Sequence, residues 1–424
     1  MRSNRVFRWT RLSLAVFLLS SLAACASGEG DGAAASGPGT GSGTSPGTGS
    51  GTSSGTGGGT DPGTGGGTDP GTGGGTCAAD MCAVGGNGIT WGCETRFMYG
   101  ANYAWRSFGA DFGGVASWGY PGIAGNPGPF SDSMRQMKAA GVSVIRWWMF
   151  PRFLTDTIRW DSDGGPSGIA PSLAADVQKA LELAAANGVY LMLTPFSFDN
   201  FRPTTTEYGV YSRSLRPMVV DAGLRSKLIQ NVLGPIADAI AQSPHRDRLI
   251  AWDLINEPEW AMTGPSLTGD PDFPAQGGLD LVTHAQMETF LKEAGDVLRS
   301  RSGSLVSVGG SAIKWAKAWS RIGLDFYQFH YYDWVYENFP YNTATLAAYG
   351  VTDKPVVMGE FPSAGLSAFP SKGLPSRSAA QLSQDLLQAG YAGTLSWAFN
   401  DGSFPFDAAS TKQFADARGC GVAF

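Results

Sequence analysis

Histidine, cysteine and charge are all scarce in this sequence: three histidines, five cysteines and 16% charged residues among 424. Each shortage narrows the function. Acidic and basic residues nearly balance, 36 against 30 for a net charge of -6, and no basic patch is present, which argues against nucleic acid as a partner. His245, His284 and His330 are scattered and no paired CxxC spacing occurs, so zinc lacks a ligand set and no metal or cofactor is called for. The apolar stretch Leu12–Leu19 is too short to span a membrane.

That stretch follows Arg2, Arg5, Arg8 and Arg11, the layout of a secretory signal peptide. Its end, Leu22-Ala23-Ala24-Cys25, resembles the lipobox of bacterial lipoproteins, which implies cleavage at Cys25 and its acylation. Ordinary cleavage near Ala24 with a free Cys25 is the plainer alternative. Cys77, Cys82, Cys93 and Cys420 remain, an even set that in an exported chain suggests two disulfides with three possible pairings. One bridge is expected to tie Cys420 back to the Cys77–Cys93 segment.

Three regions follow: a leader over 1–25, a linker over 26–76 and a folded domain over 77–424. The linker is nearly all Gly, Ser, Thr, Pro and Ala, and its octet from Asp61 nearly recurs from Asp69. Such a segment cannot bury apolar surface and is expected to be a disordered tether reaching roughly 40 Å. The reading is therefore an exported monomer that meets the membrane only through a lipid anchor. It would be held at the cell envelope or surface, or released.

The folded domain shows eight strand-like apolar runs: 97–103, 142–148, 189–194, 249–255, 304–308, 324–330, 355–360 and 394–399. Amphipathic helices are expected between them. Leu173, Val177, Ala180, Leu181 and Ala184 share one helical face, as do Met287, Phe290, Leu291, Ala294, Val297 and Leu298. Strand-helix alternation implies a parallel sheet. Helix-to-strand links are short and strand-to-helix links are long, so the elaboration falls on one rim. That asymmetry predicts an α/β fold of the (β/α)8 TIM-barrel type, with its site among long loops on the C-terminal face. An open dinucleotide-binding sheet would need a glycine-rich fingerprint after its first strand, and Gly100-Ala101-Asn102-Tyr103-Ala104-Trp105 is not one.

Two glutamates end buried runs: Glu257 in Asn256-Glu257-Pro258 and Glu360 in Met358-Gly359-Glu360. An unpaired carboxylate is too costly to bury, so each should face a cleft, and on one barrel the two converge. A facing pair is what glycoside hydrolysis requires. Other strand ends carry Asn102 with Trp105, Arg146, His330 with Tyr332, and Trp397. Arg146 offers a fixed charge to hold Glu360 ionised, and Glu257 needs a raised pKa to begin as an acid. Trp105, Trp147, Trp148, Trp260, Trp334 and Trp397 are candidate platforms for a pyranose ring. His245 lies on the opposite rim, and His284, opening a helix, is expected to be solvated.

Arg146, Asn256-Glu257-Pro258, His330-Tyr331-Tyr332, Glu360 and Trp397 appear in order across the whole domain. In this the chain resembles the clan A retaining β-glycosidases, glycoside hydrolase family 5 most closely. The resemblance implies a cellulase- or mannanase-type enzyme that cleaves a β-linked polysaccharide, β-glucan or β-mannan. Glu360 would be nucleophile and Glu257 acid/base, with Tyr332 beside the nucleophile and Asn256 on the sugar 2-hydroxyl. The third strand, Leu191 to Phe198, departs from the family by lacking a histidine. A transglycosylase using the same intermediate and a silent glycan-binding surface lipoprotein are the alternatives.

Overall fold

The structure, a computed structural model, describes residues 77–343 and 345–424. The leader, Cys25 and the 26–76 linker lie outside the described residues. A strand forms in each of the eight runs: β1 (Met98–Asn102), β2 (Val144–Trp148), β3 (Tyr190–Thr194), β4 (Leu249–Asn256), β5 (Leu305–Gly310), β6 (Tyr327–His330), β7 (Val356–Glu360) and β8 (Gly393–Ser396). Each pairs in parallel with the next, and β8 pairs with β1, so the sheet closes into an eight-stranded barrel. Closure explains the unbroken apolar runs. Both faces of every strand are covered, one by the barrel interior and one by helices, so nothing selects for polar alternation.

The principal helices are α1 (Gly128–Ala139), α2 (Pro171–Asn187), α3 (Ala222–Leu228), α4 (Gly234–Ala241), α5 (His284–Ser302), α6 (Asp333–Asn338), α7 (Ala379–Gln388) and α8 (Ala408–Arg418). The five residues expected to share a face of α2 are all buried, as are five of the six on α5, with Val297 half-buried. Thr283 and Gln286 form a capping box that starts α5, and Gly303 at φ 74° ends it in the left-handed region. Among the described residues no helix is long and apolar enough to cross a membrane.

Two expectations need correction. The connection from β5 to β6 holds a 3-10 turn, Ile313–Trp315, and no α-helix. Trp315 and Trp319 are buried there, donating to Pro271 O and Glu259 Oε1, so this segment packs on the β4 loop instead of coiling outside the barrel. His284 is not solvated. Its ring is buried, accepting from Leu267 N–H through Nδ1 and bonding Ala318 O through Nε2, which ties the start of α5 to two loops.

Long loops gather on the C-terminal rim. They form antiparallel hairpins from Ile158–Trp160 with Pro166–Ile169 after β2, Thr205–Glu207 with Val210–Ser212 after β3, and Thr263–Gly264 with Phe273–Pro274 after β4. The opposite end is plugged by the hairpin Ile89–Trp91 with Glu94–Arg96, whose Ile89 joins Met98, Val144, Ile250, Phe326 and Val357 in one apolar cluster. Two disulfides brace this end, Cys77–Cys93 and Cys82–Cys420. The second joins residues 338 apart in sequence, tying the two ends of the domain as expected.

Candidate active site

Arg146, the third residue of β2, points into the barrel and is fully buried. Its guanidinium donates to Asn102 Oδ1 at 2.8 Å, Glu360 Oε1 at 2.5 Å, Asn256 Oδ1 at 2.8 Å and, through Nε, Asp253 Oδ2 at 2.7 Å. One cation thus organises β1, β2, β4 and β7. Room for it is made at Gly309 on β5, where a Cβ would stand 2.9 Å from the guanidinium and 3.0 Å from Asp253. Asn102 is saturated: its amide donates to Gly359 O and Ser396 O, so it positions Arg146 and has nothing left for a ligand. Asn256 spends its oxygen on Arg146, and its amide nitrogen donates to no group among the described residues.

Glu257 follows β4 in the left-handed region, φ 48° and ψ 50°, which costs a residue with a Cβ about 1–2 kcal/mol. The conformation is held by its N–H donating to Gly309 O at 2.6 Å and by Pro258 behind it. Its carboxylate accepts from Trp260 Nε1 at 2.8 Å and lies 2.8 Å from His330 Nδ1. Glu360, at the end of β7, accepts from the Tyr332 hydroxyl at 2.7 Å as well as from Arg146, with His330 Nδ1 3.5 Å away. His330 sits between them, and one oxygen of each glutamate lies within 4.8 Å of the other.

Burial pushes both carboxyls upward, Glu257 to about 7, and Glu257 adds to the rise at Glu360. Arg146 acts on Glu360 in the expected direction, downward, but burial outweighs it and the net displacement is upward. The guanidinium is shared with Asp253, which takes two of its contacts, so Glu360 has only part of a counter-charge. A pair this close titrates together, and below about 7 it holds at least one proton. The donors decide where it resides. Glu360 accepts from a cation and a hydroxyl, whereas Glu257 meets only the neutral indole and imidazole, so the proton belongs on Glu257. The carboxylate that raises Glu257 further is Asp199. Burial drives His330 down to about 4, leaving it neutral, and burial with the adjacent glutamates holds the Tyr332 phenol well above its usual range, leaving it a donor.

Aromatic rings flank the pair on both sides. Trp397 at the end of β8 packs with Trp148 at 5.5 Å and Trp105 at 6.3 Å between centroids, its indole N–H fixed on Asp401 at 3.0 Å. On the far side Trp260 meets Trp334 at 6.4 Å. Trp147 is not a platform. It is fully buried under the loop after β1, donating to Asp111 at 2.9 Å.

Several site residues escaped the sequence reading. Asp253 left a signal, a lone charge inside the apolar run Ile250–Ile255. Asp199, buried in the loop after β3 and paired with Arg202 at 3.2 Å, left none. Neither did Glu259, which accepts from Ser311 N–H and Trp319 and which burial raises to about 7. Both depend on loops that only the fold brings together.

No family model matches the chain. A mannan endo-1,4-beta-mannosidase from Cryptopygus antarcticus is 25% identical over 363 residues, spanning 78% of this chain and 87% of its own length. One from Mytilus edulis is 23% identical over 279 residues, spanning 59% and 71%. Among solved structures, the beta-mannanase of the blue mussel Mytilus edulis aligns with a TM-score of 0.62 at 21% identity, covering 78% of this chain and 94% of its own. The beta-1,4-D-mannanase of Cryptopygus antarcticus aligns at 0.60 with 23% identity, covering 76% and 90%. The (β/α)8 barrel is common to all.

Proposed function

We propose that the chain is a retaining endo-acting β-mannanase, with Glu360 as nucleophile and Glu257 as acid/base. An O-glycoside hydrolase of the mannanase and cellulase type follows from its relatives, and both curated ones are named for β-1,4-mannan. The observation that carries the mechanism is the spacing of the glutamates. Inverting enzymes separate their carboxyls by roughly 6.5–9.5 Å to admit a water, while retaining ones hold them at roughly 5–5.5 Å. An oxygen-to-oxygen approach within 4.8 Å belongs with the second arrangement.

In this reading Glu360 attacks the anomeric carbon while Glu257 hands its proton to the departing glycosidic oxygen. A covalent glycosyl-enzyme results, bonded through Glu360. Glu257, now ionised, takes a proton from water, whose oxygen displaces Glu360 and regenerates both carboxyls. Arg146 and Tyr332 hold Glu360 in place, and the free amide of Asn256 is the donor for the sugar 2-hydroxyl. Rings on both flanks of the pair support endo action, because a chain can continue in either direction.

The two disulfides support export, since such bridges persist in oxidising compartments. Anchoring through Cys25 rests on the sequence alone, and intact-mass measurement of the mature protein tests it. The mechanism is tested by proton NMR of early products from β-mannan, with β-glucan and xylan as controls. The β-anomer should form first and mannan should be cleaved best. Initial α-anomer would refute retention.

A further inference from the structure

Among the described residues five large hydrophobic side chains are strongly exposed: Met81, Tyr120, Tyr208, Tyr211 and Leu267. Isolated exposed rings need no explanation. Two of these five, however, stand on one feature, the 205–212 hairpin. Tyr208 at its turn is 53% exposed and Tyr211 on its second strand 55%. Trp118, two residues from Tyr120, donates its indole N–H to Tyr208 O at 2.7 Å and packs edge-on to the Tyr208 ring at 6.3 Å.

We propose that this hairpin, with Trp118, is a docking platform for the polysaccharide chain outside the catalytic cleft. The inference rests on the function proposed above and extends it to the polymeric substrate. Three observations favour a neutral glycan as the occupant. The platform is braced: the Arg213 guanidinium stands over the rings of both Trp160, at 4.6 Å, and Tyr211, at 4.8 Å, so an exposed ring is held in place before anything binds. A preorganised aromatic face loses little entropy when a pyranose ring stacks on it. The surface is also rich in hydroxyls and low in charge. Glu207 is paired with Arg152, the half-buried Arg213 guanidinium beneath the rings is the remaining charge of the segment 205–213, and Thr206, opposite Tyr211 in the register, is exposed beside Thr205. One half-buried cation gives an acidic partner little to grip, and the hairpin has no unpaired carboxylate for a basic one. Finally, the hairpin is continuous with the catalytic rim. Ser212 donates to Arg152 O, four residues past the end of β2, so a chain leaving the cleft over the β2 and β3 loops meets these rings.

The test compares polymer with oligomer, using the full domain with Tyr208→Ala and Tyr211→Ala singly and together. Both side chains are more than half exposed, and turnover of a short manno-oligosaccharide that fills only the cleft reports whether the fold and site survive. The double variant should lose about tenfold in kcat/KM on polymeric mannan, through KM, with the oligosaccharide unaffected. The Glu360→Gln protein should bind insoluble mannan, and adding the two tyrosine changes should weaken that binding by a similar factor. Equal losses on polymer and oligomer would place the rings in the catalytic cleft and overturn the proposal. Unchanged polymer kinetics would overturn it too, as would a change in sedimentation showing that the face joins two copies of the chain. If the wild type cleaves a different β-glycan, the mannan assignment fails, and the platform is scored on the polymer that is cleaved.

Discussion

Replacing Tyr332 by phenylalanine tests the electrostatic ordering of the glutamates. The hydroxyl donates to Glu360 Oε2 at 2.7 Å, and its loss changes no charge and almost no volume. A hydrogen bond to a charged group is worth roughly 1.5–3 kcal/mol, and the lower end applies because Arg146 still holds Glu360 through its other oxygen. At about 1.4 kcal/mol per pH unit, the ionised form of Glu360 is disfavoured by about one unit. The sign follows from the role. Glu360 must be ionised to attack, so a raised pKa moves the acid limb of the kcat/KM profile up by about one unit. The alkaline limb, set by Glu257 at about 7, should stay. The bell therefore narrows and its peak falls, because part of the shared proton transfers to Glu360. The assay is kcat/KM on a soluble manno-oligosaccharide across pH. An acid limb that does not move, in a variant that folds, would show that the phenol does not hold the nucleophile ionised.

Asp199→Asn removes a negative charge facing Glu257, so Glu257 ionises more readily and the alkaline limb should move down, by under about one unit, in the same pH series. Arg146→Met should lose stability as well as turnover. The guanidinium lies inside the barrel between Asp253 and Glu360, and stranding two buried carboxylates costs about 3–5 kcal/mol, measurable by urea unfolding at neutral pH. Replacing Cys82 and Cys420 by serine frees the ends of a domain-long loop and should cost about 2–5 kcal/mol in the same unfolding assay. The site lies at the other end of the barrel, so kcat should hold.

The sequence by itself determined the barrel, its eight strands and which rim carries the site. Those follow from local pattern: short apolar runs covered on both faces, helical stripes between them, and long loops only after strands. Glu257, Glu360 and Arg146 were legible for the same reason, since a charge at the end of a buried run has few places to point. Only the tertiary structure decided what those charges meet. That Arg146 divides itself between Asp253 and Glu360, and that burial outweighs its downward pull on Glu360, depends on β2, β4 and β7 converging on one interior point. Asp199 beside Glu257, the burial of His284, the Cys82–Cys420 pairing and the missing helix between β5 and β6 are likewise products of long-range packing. Residues far apart in the chain come into contact there, and a sequence pattern reports only what its near neighbours do.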